Sequence, residues 1–315
     1  MVSLNDSALE AIRPALENPG LFGVRVETFH GATMLDFGIA TPGGYTAGLL
    51  FSNTCMAGMG QTWIGSADYG AMALPTIHVA SGAPSLALMA SQYAGWAISK
   101  GKYFAMGSGP ARALKGDEEI FKHIPHKEIS QTAVLCLETS KTPPKEVIEY
   151  IFAKTGVAPG GLYILMAPTS SVTGSTQISA RVVETTIHKM HTVGFELKDI
   201  IAGCGSAPIA PVSPDGMEAI GRTNDCVLYG GSAHITVDCQ PEFLQEKIGQ
   251  IPACASKDYG RTFKELFAQY GDFYKIDPLL FSPARVSVAN IRDGSFHTAG
   301  KIGADMLARS FGARQ

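Results

Sequence analysis

The sequence predicts an α+β fold, and three observations carry that reading. Two segments near the ends of the chain, FGVRVETFHGATMLDFG (22–38) and ARVSVANIRDGSFHTAG (284–300), alternate apolar and polar residues around a turn pair, His30-Gly31 and Asp293-Gly294. That is the grammar of β-hairpins. Between them, TAVLCLE and GLYILMAP are short apolar runs suited to buried strands, and the joining stretch PKEVIEYIFAKTG has helical spacing and a Gly stop. The N-terminal stretch MVSLNDSALEAIRPALENPG carries Glu10, Arg13 and Glu17 among its hydrophobic positions. It reads as an amphipathic helix and not as a signal peptide.

Such elements need a core, and the composition supplies one. The chain has 315 residues, 45% hydrophobic and 17% charged, enough for one large domain or two ordinary ones. Lys plus Arg number 25 against 28 Asp plus Glu, a net charge of -3, so there is no basic field to attract nucleic acid. Gly and Pro fall in short turn signals such as TPGG and APGG, with no internal repeat. The uncharged run from Tyr69 to Ser99 has the length of a membrane span. It contains Pro75, His78, Pro84 and Gln92, however, and a strand, a turn and a buried helix explain it better. Six cysteines (Cys55, Cys136, Cys204, Cys226, Cys239 and Cys254) form no C-x-x-C pair, and they read as reduced thiols of a cytoplasmic protein. KHIPHKE and SKTPPKE are the polar, Pro-bearing joints. A boundary near the first divides the chain into one lobe of residues 1–125 plus 283–315 and a second of 126–282.

A stretch without Asp, Glu, Lys or Arg runs from Thr155 to Ala180, and charge returns as Arg181 and Glu184. PTSSVTGSTQ offers N-caps, Gly194 suits the C′ position, and Ile178, Val182, Val183, Ile187 and Met190 fall on one side between them. This spacing predicts one helix with a core face. At about 100° per residue, Gln177, Arg181, Glu184, His188 and His191 gather within roughly 80° on the opposite side. Spacing alone leaves two readings open. One is a solvated polar stripe whose local ion pair is worth a few tenths of a kcal/mol. The other is a carboxylate held beside a guanidinium in a cleft, placed for proton transfer.

APTSSVTGSTQISARVVET, GSAPIAPV, GRTNDCVLYGG, YFAMGSGPARAL, SQYAGWAI and DFYKIDPLLFSPA together resemble the methenyltetrahydromethanopterin cyclohydrolases. The resemblance runs from the N-terminal helix to the SFG near the C-terminus. It implies a cytoplasmic hydrolase without metal or prosthetic group, which opens the methenyl bridge of tetrahydromethanopterin to the formyl form. It also implies two α+β lobes with the active-site pocket between them, and a homotrimer. In that family the general base and acid is the Glu of the SARVVET motif, which falls on Glu184, and its partner is the Arg, here Arg181. Both methanogenesis and methylotrophic formaldehyde oxidation use this reaction. The mild net charge and the supply of Cys and Met argue against an extreme halophile or hyperthermophile, and a methylotrophic bacterium is the preferred host.

A pterin with an arene and a phosphate-bearing tail calls for amide-like donors, apolar walls and an anion site. MGSGPAR offers backbone N–H groups at Gly107, Ser108 and Gly109, with Arg112 beside them, which suits phosphate. A tight turn with a surface Arg fits the same residues. By resemblance, Thr169, Ser170, Gln177, Pro208, Arg222 and Asp225 line the pocket, although Pro208 could shape a loop and Arg222 with Asp225 could form a structural pair. Cys55 would centre a thiol-dependent hydrolase or acyltransferase, yet an isolated Cys is usually a small buried hydrophobe. A non-catalytic pterin carrier would keep the pocket but has no reason to place a base there. His188 with His191, and His123 with His126, have H-x-x-H spacing without the Glu of a zinc motif. The first pair reads as pocket or helix surface, and the second as linker.

Overall fold

The computed structural model describes residues 3–271 and 275–313, so Asp272, Phe273 and Tyr274 of the DFYKIDPLLFSPA block lie outside the described residues. The strands are β1 (Arg25–Phe29), β2 (Ala32–Asp36), β3 (Gly60–Tyr69), β4 (Met72–Ser81), β5 (Trp96–Lys100), β6 (Tyr103–Ser108), β7 (Ala133–Glu138), β8 (Leu162–Ala167), β9 (Ile200–Pro208), β10 (Ser232–Val237), β11 (Arg285–Asn290) and β12 (Phe296–Gly300). The helices are α1 (Leu4–Glu17), α2 (Tyr45–Cys55), α3 (Ala111–Lys115), α4 (Lys145–Thr155), α5 (Val172–Ser179), α6 (Val182–Thr192), α7 (Gly216–Gly230), α8 (Pro241–Lys247), α9 (Phe263–Tyr270) and α10 (Ala304–Phe311). The fold is α+β, with two six-stranded mixed sheets among the described residues. The chain divides into one unit of Met1–Gln61 and Ser85–Gln177 and a second of Thr62–Pro84 and Ile178–Gln315.

In the first unit the strand order is β1-β2-β8-β7-β6-β5. The N-terminal hairpin forms as expected. Phe29 pairs with Ala32, and the two loop residues His30 and Gly31 take φ of 47° and 80°, the left-handed pair that a two-residue turn requires. The strand-helix-strand reading of 132–168 also holds, with β7 and β8 parallel in the register Ala133↔Leu162 around α4. Alternation along β7 sends Val134 and Cys136 into a cluster with Ala8, Ile12 and Phe51 of α1 and α2. Its neighbours Ala133, Leu135 and Leu137 join Val147, Ile148 and Ile151 of α4 on the other face. Helices therefore cover both faces of this sheet, as its apolar strands require.

In the second unit the order is β12-β11-β10-β9-β4-β3. The C-terminal hairpin pairs β11 with β12, from Arg285↔Gly300 to Ala289↔Phe296. Gly203 and Gly205 of β9 let α6 lie close, since a Cβ at either would stand 2.7 and 3.1 Å from the Val183 methyls. A third cluster gathers Cys226, Tyr229, Phe263, Leu266 and Leu307 from α7, α9 and α10. The run from Tyr69 to Ser99 resolves into β4, a bend, a π-helix over Ser85–Gln92 and β5.

The expected division, 1–125 plus 283–315 against 126–282, differs from the observed one because strand pairing overrides it. β8 lies between β2 and β7, parallel to both, which ties the segment after 126 to the N-terminal hairpin. β11 lies parallel to β10, which ties the C-terminal segment to the second sheet. KHIPHKE is likewise no loose linker. The Glu128 carboxylate accepts Ser3 Oγ at 2.8 Å, the backbone N–H of Leu4 at 3.2 Å and of Asn5 at 3.1 Å, and Asn5 Nδ2 at 3.1 Å. It thus caps the start of α1. Burial pushes this carboxyl up, but the bonds from His126 and Asn5 outweigh it and hold the group below the ordinary carboxylate value.

Candidate active site

The single helix expected over the Arg181/Glu184 stretch is two. α5 ends at Ser179, whose Oγ donates to the Pro208 carbonyl at 2.8 Å. The Arg181 N–H turns back to the Ile178 carbonyl at 3.0 Å, and Arg181, with φ -81° and ψ 2°, becomes the N-cap of α6. Pattern reading missed the break because no Gly or Pro marks it; a side-chain bond to a distant carbonyl does. Of the predicted core face, Val182, Val183, Ile187 and Met190 are fully buried, whereas Ile178, before the break, is only partly buried.

The opposite side is not a solvated stripe. Glu184 is 4% exposed and Gln177 2%, and the Arg181 guanidinium lies 3.8 Å from the Glu184 carboxylate. Glu184 is the third residue of α6, so the positive end of the helix dipole and the guanidinium stand on the same side of its negative charge. Arg cannot surrender its proton, so within this pair the group that can carry one is the carboxylate. His188 follows one turn later, its imidazole lowered by burial and then by His191.

The remaining second-unit candidates are engaged in bonds within that unit. Arg222 on α7 pairs with Glu218 at 2.5 Å and donates to the carbonyls of Pro211 and Phe311. Asp225 is fully buried and accepts the Phe263 N–H at 2.9 Å and Ser310 Oγ at 2.6 Å. Burial pushes its carboxyl up to about 7. Arg222 and Asp225 thus engage separate partners and hold α7 to α9 and α10. Pro208 closes β9, and its carbonyl anchors Ser179.

In the first unit, the MGSGPAR segment is engaged internally. The Gly109 N–H donates to the Ser91 carbonyl at 2.7 Å, and a Cβ at Gly107 would lie 3.0 Å from the Trp96 carbonyl oxygen. Ser108 Oγ donates to the Cys136 carbonyl at 3.3 Å. Arg112 is fully buried. Its Nη1 donates to the carbonyls of Met89, Ala90 and Ser91 at 3.1–3.4 Å, and its Nε and Nη2 meet Glu118 at 3.1 and 2.5 Å. The guanidinium satisfies the last carbonyls of the π-helix, so the expected phosphate contact through Arg112 finds no support in its surroundings.

Thr169 and Ser170 occupy the turn between β8 and α5. Thr169 Oγ1 donates to Glu138 at the end of β7. At the end of β2, Asp36 accepts the backbone N–H groups of Gly38, Ile39 and Ala40 at 2.9, 2.6 and 2.8 Å. Asp36, Glu138 and Thr169 therefore crowd the carboxyl ends of three adjacent parallel strands, where open sheets commonly present ligands. Sequence reasoning passed over Asp36 and Glu138. The signal was a lone charge closing an apolar strand, as in TAVLCLE.

Cys55 is 1% exposed in the α1/α2 core cluster, with Sγ 3.2 Å from Ser108 Oγ. Among the described residues no group of three or more His, Cys, Asp or Glu side chains is placed to hold a metal ion, and no helix is long and apolar enough to cross a membrane.

A family model described as "Cyclohydrolase (MCH)" matches residues 3–311, which makes the class that of a hydrolase acting on a ring C–N bond. Several curated proteins named methenyltetrahydromethanopterin cyclohydrolase are similar along the whole chain. That of Methylobacillus flagellatus is 42% identical, over 98% of this chain and 95% of the relative. The Xanthobacter autotrophicus protein is 44% identical, over 89% and 84%, and the Methanococcoides burtonii protein 39%, over 100% and 99%. The chain belongs to the MCH cyclohydrolase family.

Proposed function

We propose that this protein reversibly hydrolyses the methenyl bridge of 5,10-methenyltetrahydromethanopterin to 5-formyltetrahydromethanopterin, with Glu184 as general base and acid and Arg181 as its partner. The observation that carries the assignment is a carboxylate, 4% exposed, held 3.8 Å from a guanidinium at the start of α6. The names of the whole-length relatives supply the substrate.

The chemistry matches a lone carboxylate. A methenyl bridge between two nitrogens is a delocalised amidinium cation, whose carbon is already electrophilic. Glu184 takes one proton from the attacking water as its oxygen bonds to that carbon. As the tetrahedral adduct collapses, the same carboxylic acid protonates the departing nitrogen, and the hydroxyl loses its proton to become the formyl oxygen. The Arg181 guanidinium orients the carboxylate and favours its ionised form, whereas desolvation pushes the other way, and the pair does not repel the cationic substrate. Thr169, Ser170, Gln177 and Pro208 are the residues retained as pterin contacts in this reading, with Glu138 beside Thr169 as a further acceptor.

The reading includes a cytoplasmic homotrimer without prosthetic group, supported by the family resemblance. Supply and demand in the host set the direction, toward formate in formaldehyde oxidation or toward methane in methanogenesis. The test is Glu184→Gln, followed through the amidinium absorbance of the substrate. It should bind substrate and lose about 10²–10⁴-fold in turnover. Near-normal turnover would remove Glu184 from the mechanism, and binding without turnover by the unaltered protein would leave a carrier.

A further inference from the structure

We propose that His188 and His191 form a proton path along α6, which discharges Glu184 to solvent once in each turnover. The inference rests on the reading of Glu184 as the base, and proton balance motivates it. A cationic substrate and one water become a neutral formyl product, so one proton leaves for good. Of the two water protons, one ends on the departing nitrogen through Glu184. The other comes off the hydroxyl as the C–N bond breaks and the carbonyl forms. Glu184, ionised again at that moment, takes it up and must shed it before the next cycle.

At 4% exposure Glu184 has little direct access to bulk water. The helix that holds it supplies a route. His188 and His191 stand four and seven residues further along α6, within roughly 60° of one face and about 10 Å of rise. Side chains at i and i+4, and at i and i+3, are neighbours on a helix, so each step joins adjacent groups. Exposure rises along the same line: Glu184 is buried, His188 and His191 are partly exposed, and Thr192 and Gly194 at the helix end are exposed.

The protonation chemistry is in order at each step. His191 Nδ1 lies 3.2 Å from the Phe195 carbonyl, which can only accept, so Nδ1 bears the hydrogen and Nε2 is the basic nitrogen. Burial, with a smaller contribution from His191, lowers His188 below its ordinary value, which favours release of a proton received there. The cation of Lys189 lies off this line, about 140° around the helix from Glu184, with Nζ donating to the Leu279 carbonyl. Each transfer moves a proton between an oxygen and a nitrogen or between two nitrogens, and none needs an oxidant or co-reactant.

The test compares His188→Ala, His188→Gln, His191→Gln and Glu184→Gln in the intact protein, in dilute and concentrated imidazole buffer. His188→Ala should lose tenfold or more in kcat in dilute buffer with kcat/KM less affected, and imidazole should restore kcat saturably, because a diffusible base replaces the missing ring. His188→Gln and His191→Gln should fall in the same direction and show an enlarged solvent deuterium isotope effect on kcat. Glu184→Gln should not respond to imidazole. Losses that no buffer restores, or normal kcat in dilute buffer for both Gln variants, would overturn the path while an inactive Glu184→Gln left the base assignment standing. An active Glu184→Gln would instead remove the base itself. Should His188→Ala not fold, the two Gln variants and their isotope effects decide.

Discussion

At the scale of single residues, burial separates groups that look alike in the sequence. Arg112, Arg181 and Arg222 each sit near a carboxylate, yet Arg112 is fully buried on π-helix carbonyls, Arg222 bonds the carbonyls of Pro211 and Phe311, and Arg181 stands beside Glu184. Spacing revealed the last pair because both members belong to one helical turn. It could not reveal the backbone carbonyls that engage Arg112 and Arg222, which lie elsewhere in the chain, although Glu218 stands one turn before Arg222 on α7. Asp225 carries a testable consequence. Its folded-state carboxyl is pushed up to about 7 by burial, whereas an unfolded chain leaves it near 3.9. The folded protein therefore holds the extra proton between these values, and the resulting stability is fully present below about 4 and lost as pH rises through about 7. Asp225→Asn should flatten the melting temperature across pH 5–8 relative to the parent, read by calorimetry. An unchanged slope would mean that Asp225 is ionised throughout.

At the scale of elements, periodicity found the hairpins, the β7-α4-β8 unit and the core face of α6. It failed where one side chain stabilises a backbone that local propensity does not. The π-helix over Ser85–Gln92 is a geometry seldom sustained for more than one turn, and no sequence pattern announces it. Its last carbonyls bond to Arg112, whose charge Glu118 neutralises. Arg112→Met should remove the shorter of that carboxylate's two ion pairs, leaving Lys115 Nζ at 3.6 Å, and open the carbonyls, costing about 1–3 kcal/mol. Urea unfolding should register the loss, and a cost below about 1 kcal/mol would show that the π-helix stands without this support.

At the scale of the whole molecule, the α+β class was legible and the division was not. Pro-bearing polar stretches suggested a boundary, but membership follows hydrogen-bonded strand pairs that are far apart in sequence, and composition does not report which strands pair. β4 makes the point: it pairs antiparallel with β9 from Thr76↔Pro208 to Ser81↔Gly203. A fragment of residues 178–315 would leave β9 unpaired on that side. Circular dichroism should show no cooperative melt for it, and a chain with 62–84 joined ahead of 178 by a flexible linker should recover one. A cooperative melt of 178–315 alone would show that the β3–β4 hairpin is dispensable.

That pairing also sets a timetable on the ribosome. β4 emerges roughly 120 residues before its partner β9, and at about 5–20 residues per second the wait is on the order of 6–25 s. The first unit, complete once its final segment is made, can fold during this interval. The hairpin cannot find its sheet, and its open edge is what a nascent-chain chaperone would have to shield.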